Sequence, residues 1–358
     1  MATLVSIERF LPPYRYGQDV VTGWVRSWLE AGNGDGEAAK RLLSVYAAAG
    51  VNTRASVVPI EQVFDPGDFE TQNDTYRRIA CEAGTDLARR ALASSGLEPG
   101  DVGLLVSVSC TGFMIPAVDA YVADALDMGP RLVRLPITES GCAGGVVGLV
   151  RAADWLAAHP DGAALVLALE FSSLTFQRWD RSATNVVSTA IFGDGGAAVV
   201  MVGPQHPLAD GPVLARIVDS ESLFFGGTTH LMGFHLRNQG LQIVLDRDLA
   251  PFVRRHVVDV VEGFLGPRGL RREDVTRWIL HPGGRRIIEV MSEKLGLRPQ
   301  DLAATESVLA EHGNMSSVTV LFVLDQILRC HRPRAGERGV LGAFGPGFGA
   351  ELALLEFC

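Results

Sequence analysis

The feature that most limits how this chain can fold is an order of elements that occurs twice. Leu97 and Asp101-Val102 lead into Asp101 to Ser109, an apolar run that reads as a buried strand, and Leu270 and Asp274-Val275 lead at the same spacing into Trp278-Ile279-Leu280. Farther on, Gly141-Cys142-Ala143-Gly144-Gly145-Val146-Val147 opens a long apolar helical pattern. Gly313-Asn314-Met315-Ser316-Ser317-Val318-Thr319, 172 positions later, opens another that runs from Val318 to Leu328. A near-constant offset over two motifs indicates an internal duplication. Strands alternating with helices predict an α/β protein, divided into residues 1–205 and 206–358 with Gly203 to Asp210 as a linker. In that arrangement Cys142 and Asn314 occupy equivalent helix starts in two halves related by a pseudo-twofold axis, and the two helices lie back to back.

Other segments follow from the same periodicities. Helices are expected at Asp19 to Ala31, Glu37 to Ala49, Asp74 to Ser95 and from Pro116, and strands at Leu132 to Ile137, Ala163 to Glu170 and Ala198 to Val202. With 358 residues, 47% of them apolar, the chain can bury a large core. Its formal charge is −9, and it has no basic block, which disfavours nucleic acid and anionic membrane surfaces as partners. No run reaches the roughly 18 apolar residues of a membrane span. The first residues carry Glu8 and Arg9 and lack a cleavable hydrophobic segment, so a cytoplasmic protein is expected. Five scattered cysteines (Cys81, Cys110, Cys142, Cys330, Cys358) with no CxxC pair read as free thiols, not as a disulfide framework or a zinc cage.

One of these thiols has a chemical setting. Val146, Leu149, Val150 and Ala153 recur at helical spacing, so Cys142 falls at or before the first turn of a buried helix. Unpaired N–H groups and the positive end of the helix dipole favour a thiolate there. The competing reading is a structural cysteine among apolar neighbours. His281 ends the strand Trp278-Ile279-Leu280, where an imidazole beside Cys142 would take its proton and hold the ion pair. Asn314 supplies a side-chain N–H to a developing oxyanion without titrating. Singly, the histidine has a plain reading as a hydrogen-bonded strand end and the asparagine as a helix cap.

Four motifs in order carry a resemblance: Gly141-Cys142 followed by Ala143-Gly144-Gly145, His281-Pro282-Gly283-Gly284, Gly313-Asn314-Met315-Ser316-Ser317, and Phe344-Gly345-Pro346-Gly347. Over nearly its whole length the chain resembles the type III polyketide synthases of the chalcone synthase superfamily, and Ser107 to Pro116 looks like the bacterial branch. The resemblance implies a thiolase-type fold of two αβαβα halves in five layers, a homodimer, and a Cys-His-Asn triad falling on Cys142, His281 and Asn314. It implies gatekeeper phenylalanines at Phe192 and Phe234, pocket-lining residues at Cys110, Ser172, Thr175 and Ser316, and Ile115 crossing the dimer interface into the partner's pocket.

The implied reaction is decarboxylative condensation of a malonyl thioester onto an acyl group held on Cys142, followed by cyclisation to a pyrone, resorcinol or related aromatic, with no metal or redox cofactor. At the tunnel mouth, Arg41 falls on the first of three basic residues that hold coenzyme A phosphates in the plant enzymes, but Ser44 and Ala48 fall on the other two. Gly284 and Arg286 join Arg41 as entrance residues for coenzyme A or its pantetheine arm, with Arg286 or Arg285 as a substitute anchor, and an acyl carrier protein is the alternative donor. Rival readings are a ketoacyl-ACP synthase III, a ketosynthase joining two β-ketoacyl chains into an α-pyrone, and a non-catalytic scaffold.

Overall fold

The computed structural model describes residues 1–31 and 36–358. Nine strands form one sheet in the order Arg277–Leu280, Arg338–Gly345, Gly349–Phe357, Ala215–Phe224, Ala2–Phe10, Asp194–Val202, Ala163–Phe171, Val102–Val108, Val133–Ile137. Two similar runs meet where Ala2 to Leu4 pair with Ala215 to Ile217. In one, Val102–Val108 lies parallel to Ala163–Phe171, which continues antiparallel through Asp194–Val202 to Ala2–Phe10. In the other, Arg277–Leu280 lies parallel to Arg338–Gly345, which continues antiparallel through Gly349–Phe357 to Ala215–Phe224. The duplicated order read from the letters is therefore a duplicated order of strand pairings. Val133–Ile137, parallel to Val102–Val108, has no counterpart in the second run among the described residues.

These strands are continuous apolar runs because both of their faces are covered. Val106, Val166, Val199, Ile279, Leu341 and Leu355 point into a shared core with the helices Gly144–Ala158 and Thr319–Gln326. Their neighbours Leu105, Leu165 and Val200 point the other way, onto the helix Phe69–Ser95. Trp278, Leu280, Val340 and Leu352 face the helices Leu249–Leu265 and Arg285–Leu295. The period-two alternation thus builds five layers, helix, sheet, helix, sheet, helix, the thiolase-type arrangement. Each fully buried Leu or Val in the middle layer contributes roughly 1.5–3 kcal/mol.

The middle layer fixes the site. Helix Gly144–Ala158 packs against strands of both runs and against Thr319–Gln326, so the two helices do lie back to back. A Cβ on Gly145 would stand 2.2 Å from the Ser317 carbonyl oxygen, so this approach requires glycine. Asn314, however, does not start its helix. A 3₁₀ turn at Ser316–Val318 precedes Thr319–Gln326, as the turn Gly141–Ala143 precedes Gly144–Ala158, so by element Cys142 matches Ser317. Asn314 lies upstream in a bridge with Phe192: its N–H donates to Ile191 O at 2.9 Å, and Gly193 N–H donates to its carbonyl at 3.0 Å. That pairing, after Gly313 (φ +71°) ends the helix Pro299–His312, holds Asn314 out of the helical register.

Other boundaries moved outward. The helix expected from Asp74 begins at Phe69, with Asp68 Oδ1 accepting Thr71 N–H at 2.9 Å, and the strand expected from Ala198 begins at Asp194. The hairpin Met232–Arg237 with Gly240–Leu245, which carries Phe234, was not anticipated.

Candidate active site

Three segments bring the implied triad to one place. Gly141 adopts φ +48°, and a Cβ there would meet Pro346 Cδ at 2.7 Å. The turn holding Cys142 therefore rests directly on the Phe344-Gly345-Pro346-Gly347 motif. His281 follows the strand Arg277–Leu280, its N–H donating to Gly342 O at 2.9 Å. Cys142 and His281 are each 6% exposed and Asn314 1%. All three line a cavity of ≈ 40 Å³ with Phe192, Gly283, Phe344 and Phe348. Arg54, buried, holds the end of helix Ala183–Ile191 by donating to the carbonyls of Ala190 at 2.8 Å and Phe192 at 2.9 Å, which fixes Phe192 at the cavity wall.

The Asn314 amide is oriented by its oxygen. Oδ1 accepts Ser316 N–H at 2.8 Å and the Thr319 hydroxyl at 3.3 Å, so Nδ2 is the donor end, and one of its N–H groups donates to Gly283 O at 3.3 Å. Both ring nitrogens of His281 are buried without a hydrogen-bond partner. Burial pushes its pKa down to about 3. Burial also pushes the Cys142 thiol up to about 11, with the Ser316 hydroxyl at 3.7 Å pulling it down and the Glu170 charge pushing it up. Burial thus opposes the thiolate–imidazolium pair expected from the sequence. Desolvation of both charges outweighs what the turn's N–H groups offer.

Cys142 and Phe192 also line a second, larger cavity of ≈ 400 Å³. Cys110, Ser172, Thr175, Ser316 and Phe234, assigned to a pocket by resemblance, all stand on its wall. Ile115 does not line it and is fully exposed. Arg41 is exposed on the helix Gly36–Ala48. Arg285 and Arg286, also exposed, share Glu289 at 3.3 and 3.2 Å, and Gly284 is the residue before their helix. None of these four lines either cavity.

The sequence reading missed Glu170. Fully buried at the end of Ala163–Phe171, it accepts from Cys110 N–H at 3.0 Å, the Thr111 hydroxyl at 2.9 Å and the Ser317 hydroxyl at 2.5 Å. Burial raises its pKa. Cys110 Sγ lies 3.5 Å from this carboxylate, and Ser316 Oγ lies 3.4 Å from Cys110 Sγ, so a polar chain runs Glu170, Cys110, Ser316, Cys142. Ser316 sits at φ +49°, a conformation rare for a side-chain-bearing residue, with its N–H held by Asn314. The available signal was one carboxylate in an otherwise apolar strand, which burial tolerates only with several donors.

Comparison with known proteins gives this geometry its family. Residues 67–205 match the N-terminal domain, and residues 216–357 the C-terminal domain, of chalcone and stilbene synthases. A 1,3,6,8-tetrahydroxynaphthalene synthase of Streptomyces peucetius subsp. caesius is 36% identical over 99% of this chain and 93% of its own length. A putative chalcone synthase of Bacillus subtilis is 32% identical over 100% of this chain and 99% of its own. The crystal structure of 1,3,6,8-tetrahydroxynaphthalene synthase from Streptomyces coelicolor A3(2), a bacterial type III polyketide synthase, superposes with a TM-score of 0.92 at 28% identity, covering 99% of both chains. The chain belongs to the chalcone and stilbene synthase family and is a type III polyketide synthase, an enzyme that forms carbon–carbon bonds by condensation and closes the product to a ring.

Proposed function

We propose that Cys142 is the nucleophile that carries the acyl group, and that His281 and Asn314 hold the oxygen on which negative charge develops. The observation that carries this reading is the ≈ 40 Å³ cavity where a thiol, an unpartnered buried imidazole and an oriented amide share one wall. As an acyl thioester arrives, the Cys142 proton passes to His281, the sulfur attacks the carbonyl, and the departing thiolate takes the proton back. Transfer between two thioesters is nearly balanced, so the group can be loaded and later moved on.

The malonyl thioester enters next. As its carbon–carboxylate bond breaks, the electron pair moves onto the thioester oxygen and carbon dioxide leaves. An imidazole whose pKa is about 3 stays neutral at pH 7, so it donates a hydrogen bond to that enolate without giving up its proton. Asn314 Nδ2 supplies the second bond, and each such donor is worth roughly 3 kcal/mol. The enolate carbon attacks the acyl carbon, Cys142 leaves as thiolate, and the extended chain returns to it for the next round. None of these steps calls for a metal or a redox cofactor.

The finer reading includes a homodimer, with exposed Ile115 contacting the second copy, and a cytoplasmic setting. Among the described residues no helix is long and apolar enough to cross a membrane. Substrate delivery is by coenzyme A, with an acyl carrier protein the alternative donor. Arg285 and Arg286 already share Glu289, and such exposed pairs are worth at most about 1 kcal/mol. Purified chain given an acyl-CoA and malonyl-CoA tests the reading by mass spectrometry of products. Iterated extension and a ring product are expected; a single elongation, or a pyrone only from two preformed β-ketoacyl thioesters, would overturn it.

A further inference from the structure

The two cavities that share Cys142 differ in charge. Among the described residues, the lining of the ≈ 40 Å³ cavity, with His281 and Asn314, has no carboxylate. The ≈ 400 Å³ cavity carries Asp194 and Glu139 on its wall, together with the cation Arg54. Asp194 is fully engaged. It accepts the N–H groups of Val57 and Ser173, each at 2.8 Å, and the Ser173 hydroxyl, and it attracts Arg54. Arg54 in turn is committed to the Gln18 side chain and to the carbonyls of Thr189, Ala190 and Phe192, and its remaining donor, Nε, is buried. The two charges therefore largely offset each other. Glu139 has no such counterpart. It follows the strand Val133–Ile137, three residues before the nucleophile in Thr138-Glu139-Ser140-Gly141-Cys142, is exposed, and has no hydrogen bond or ion pair with any described residue. Glu170, 3.5 Å behind Cys110 Sγ, adds negative charge on the same side of the cavity.

We propose that Glu139 is a specificity-determining residue whose charge turns carboxylate-bearing acyl groups away from the ≈ 400 Å³ cavity, so that Cys142 is primed by a neutral acyl group. The proposal rests on the condensing-enzyme reading and deepens it by setting the starter's charge. A malonyl unit keeps its carboxylate until the carbon–carboxylate bond breaks, when the electron pair stays behind in the enolate and carbon dioxide leaves. It carries that charge on the His281 side, where the lining has no carboxylate to oppose it. The extended chain that returns to Cys142 bears ketones and no carboxylate, so Glu139 does not repel it. An intact malonyl group, or another dicarboxylic half-thioester, held on Cys142 would instead bring its free carboxylate into the cavity that Glu139 lines. Because Glu139 is exposed and screened by solvent, the repulsion is worth at most about fivefold. That ranks competing starters without blocking the reaction.

The charge effect can be read without condensation. Iodoacetate and iodoacetamide react at the same carbon, with sulfur displacing iodide, and differ in charge. Their rates at Cys142 are measured at pH 8 by peptide mapping in wild type, Glu139→Gln and Glu139→Lys, with exposed Cys330 of the same chain as reference. The iodoacetate-to-iodoacetamide ratio at Cys142 should rise about three- to fivefold in Glu139→Gln and further in Glu139→Lys, while the ratio at Cys330 stays unchanged. With malonyl-CoA as extender, kcat/KM for succinyl-CoA relative to butyryl-CoA, starters of equal length that differ by a terminal carboxylate, should rise in the same order. A Cys142 ratio that neither variant moves overturns the proposal, as does an equal shift at Cys330, or a wild-type preference for succinyl over butyryl. Condensation from butyryl-CoA with unmoved ratios leaves the condensing reading standing and removes the charge filter. Moved ratios with no condensation from any starter do the reverse.

Discussion

The protonation state of Cys142 before substrate arrives is where structure and sequence make opposite predictions. Burial places the thiol at about 11 and the His281 imidazole at about 3, so both are neutral at pH 8. At that pH a thiol at 11 is ionised in about one molecule in a thousand, against about one in ten for a thiol at 9. The rarer thiolate is intrinsically more nucleophilic, which recovers about tenfold, so alkylation should be about tenfold slower than for an ordinary thiol. The assay is iodoacetamide labelling between pH 6 and 10 with mapping of all five cysteine peptides. The rate at Cys142 should climb about tenfold per pH unit without levelling, stay below that of exposed Cys330 at pH 8, and keep its slope in His281→Ala. A plateau from pH 6 to 9, faster than Cys330 and abolished in His281→Ala, would show a standing ion pair and refute the burial argument.

Three further outcomes are expected. Asn314→Ala should lower malonyl decarboxylation by about 10²-fold while leaving acyl loading largely intact, whereas His281→Ala should impair both; unchanged decarboxylation in the Asn314 variant would reduce that residue to a structural role. His281 and His312 have folded pKa values of about 3 and 4, below the ordinary 6.5, so the unfolded chain binds protons first as the pH falls. Their contribution is therefore complete above about pH 6.5 and is lost on acidification, each costing about 2 kcal/mol by pH 5. Asp194, raised to about 6, works in the opposite sense and returns about 1 kcal/mol. Denaturant melts at pH 7.5 and 5 should show His281→Asn losing less stability than wild type, and an equal loss would contradict the assignment. Glu170→Gln keeps the shape but turns an amide donor toward hydroxyl and N–H donors, costing roughly 1–3 kcal/mol. Because the Glu170 charge raises the Cys142 thiol, the same variant should move the alkylation profile to lower pH, and an unmoved profile would exclude that coupling.

Much of the architecture was legible because strands covered on both faces must be apolar throughout, and Ala163–Phe171 and Asp194–Val202 carry that signature. The glycines around Cys142 were legible as motif, and their cause, contact with Ser317 and Pro346, appears only in three dimensions. What stayed hidden depends on distant partners. Nothing near Asn314 in sequence announces its pairing with Phe192, so the letters misplaced it at a helix start. Sequence and structure point in opposite directions on the ionisation of Cys142 because helix dipoles are local and visible, whereas desolvation is set by the whole middle layer. Glu170 was visible as an odd letter, but Cys110, Thr111 and Ser317, which make its burial tolerable, come from separate segments.

The most direct test of the account is to find which atom carries the acyl group. Purified chain incubated with decanoyl-CoA, acid-quenched and digested, is mapped by mass spectrometry alongside Cys142→Ala, with carbon dioxide release from malonyl-CoA measured on both. The account predicts the acyl group on the Cys142 peptide alone, no condensation product from the variant, and measurable decarboxylation that persists in it because His281 and Asn314 remain. An acyl group on Cys110 or another cysteine, or ring products formed by Cys142→Ala, would contradict it.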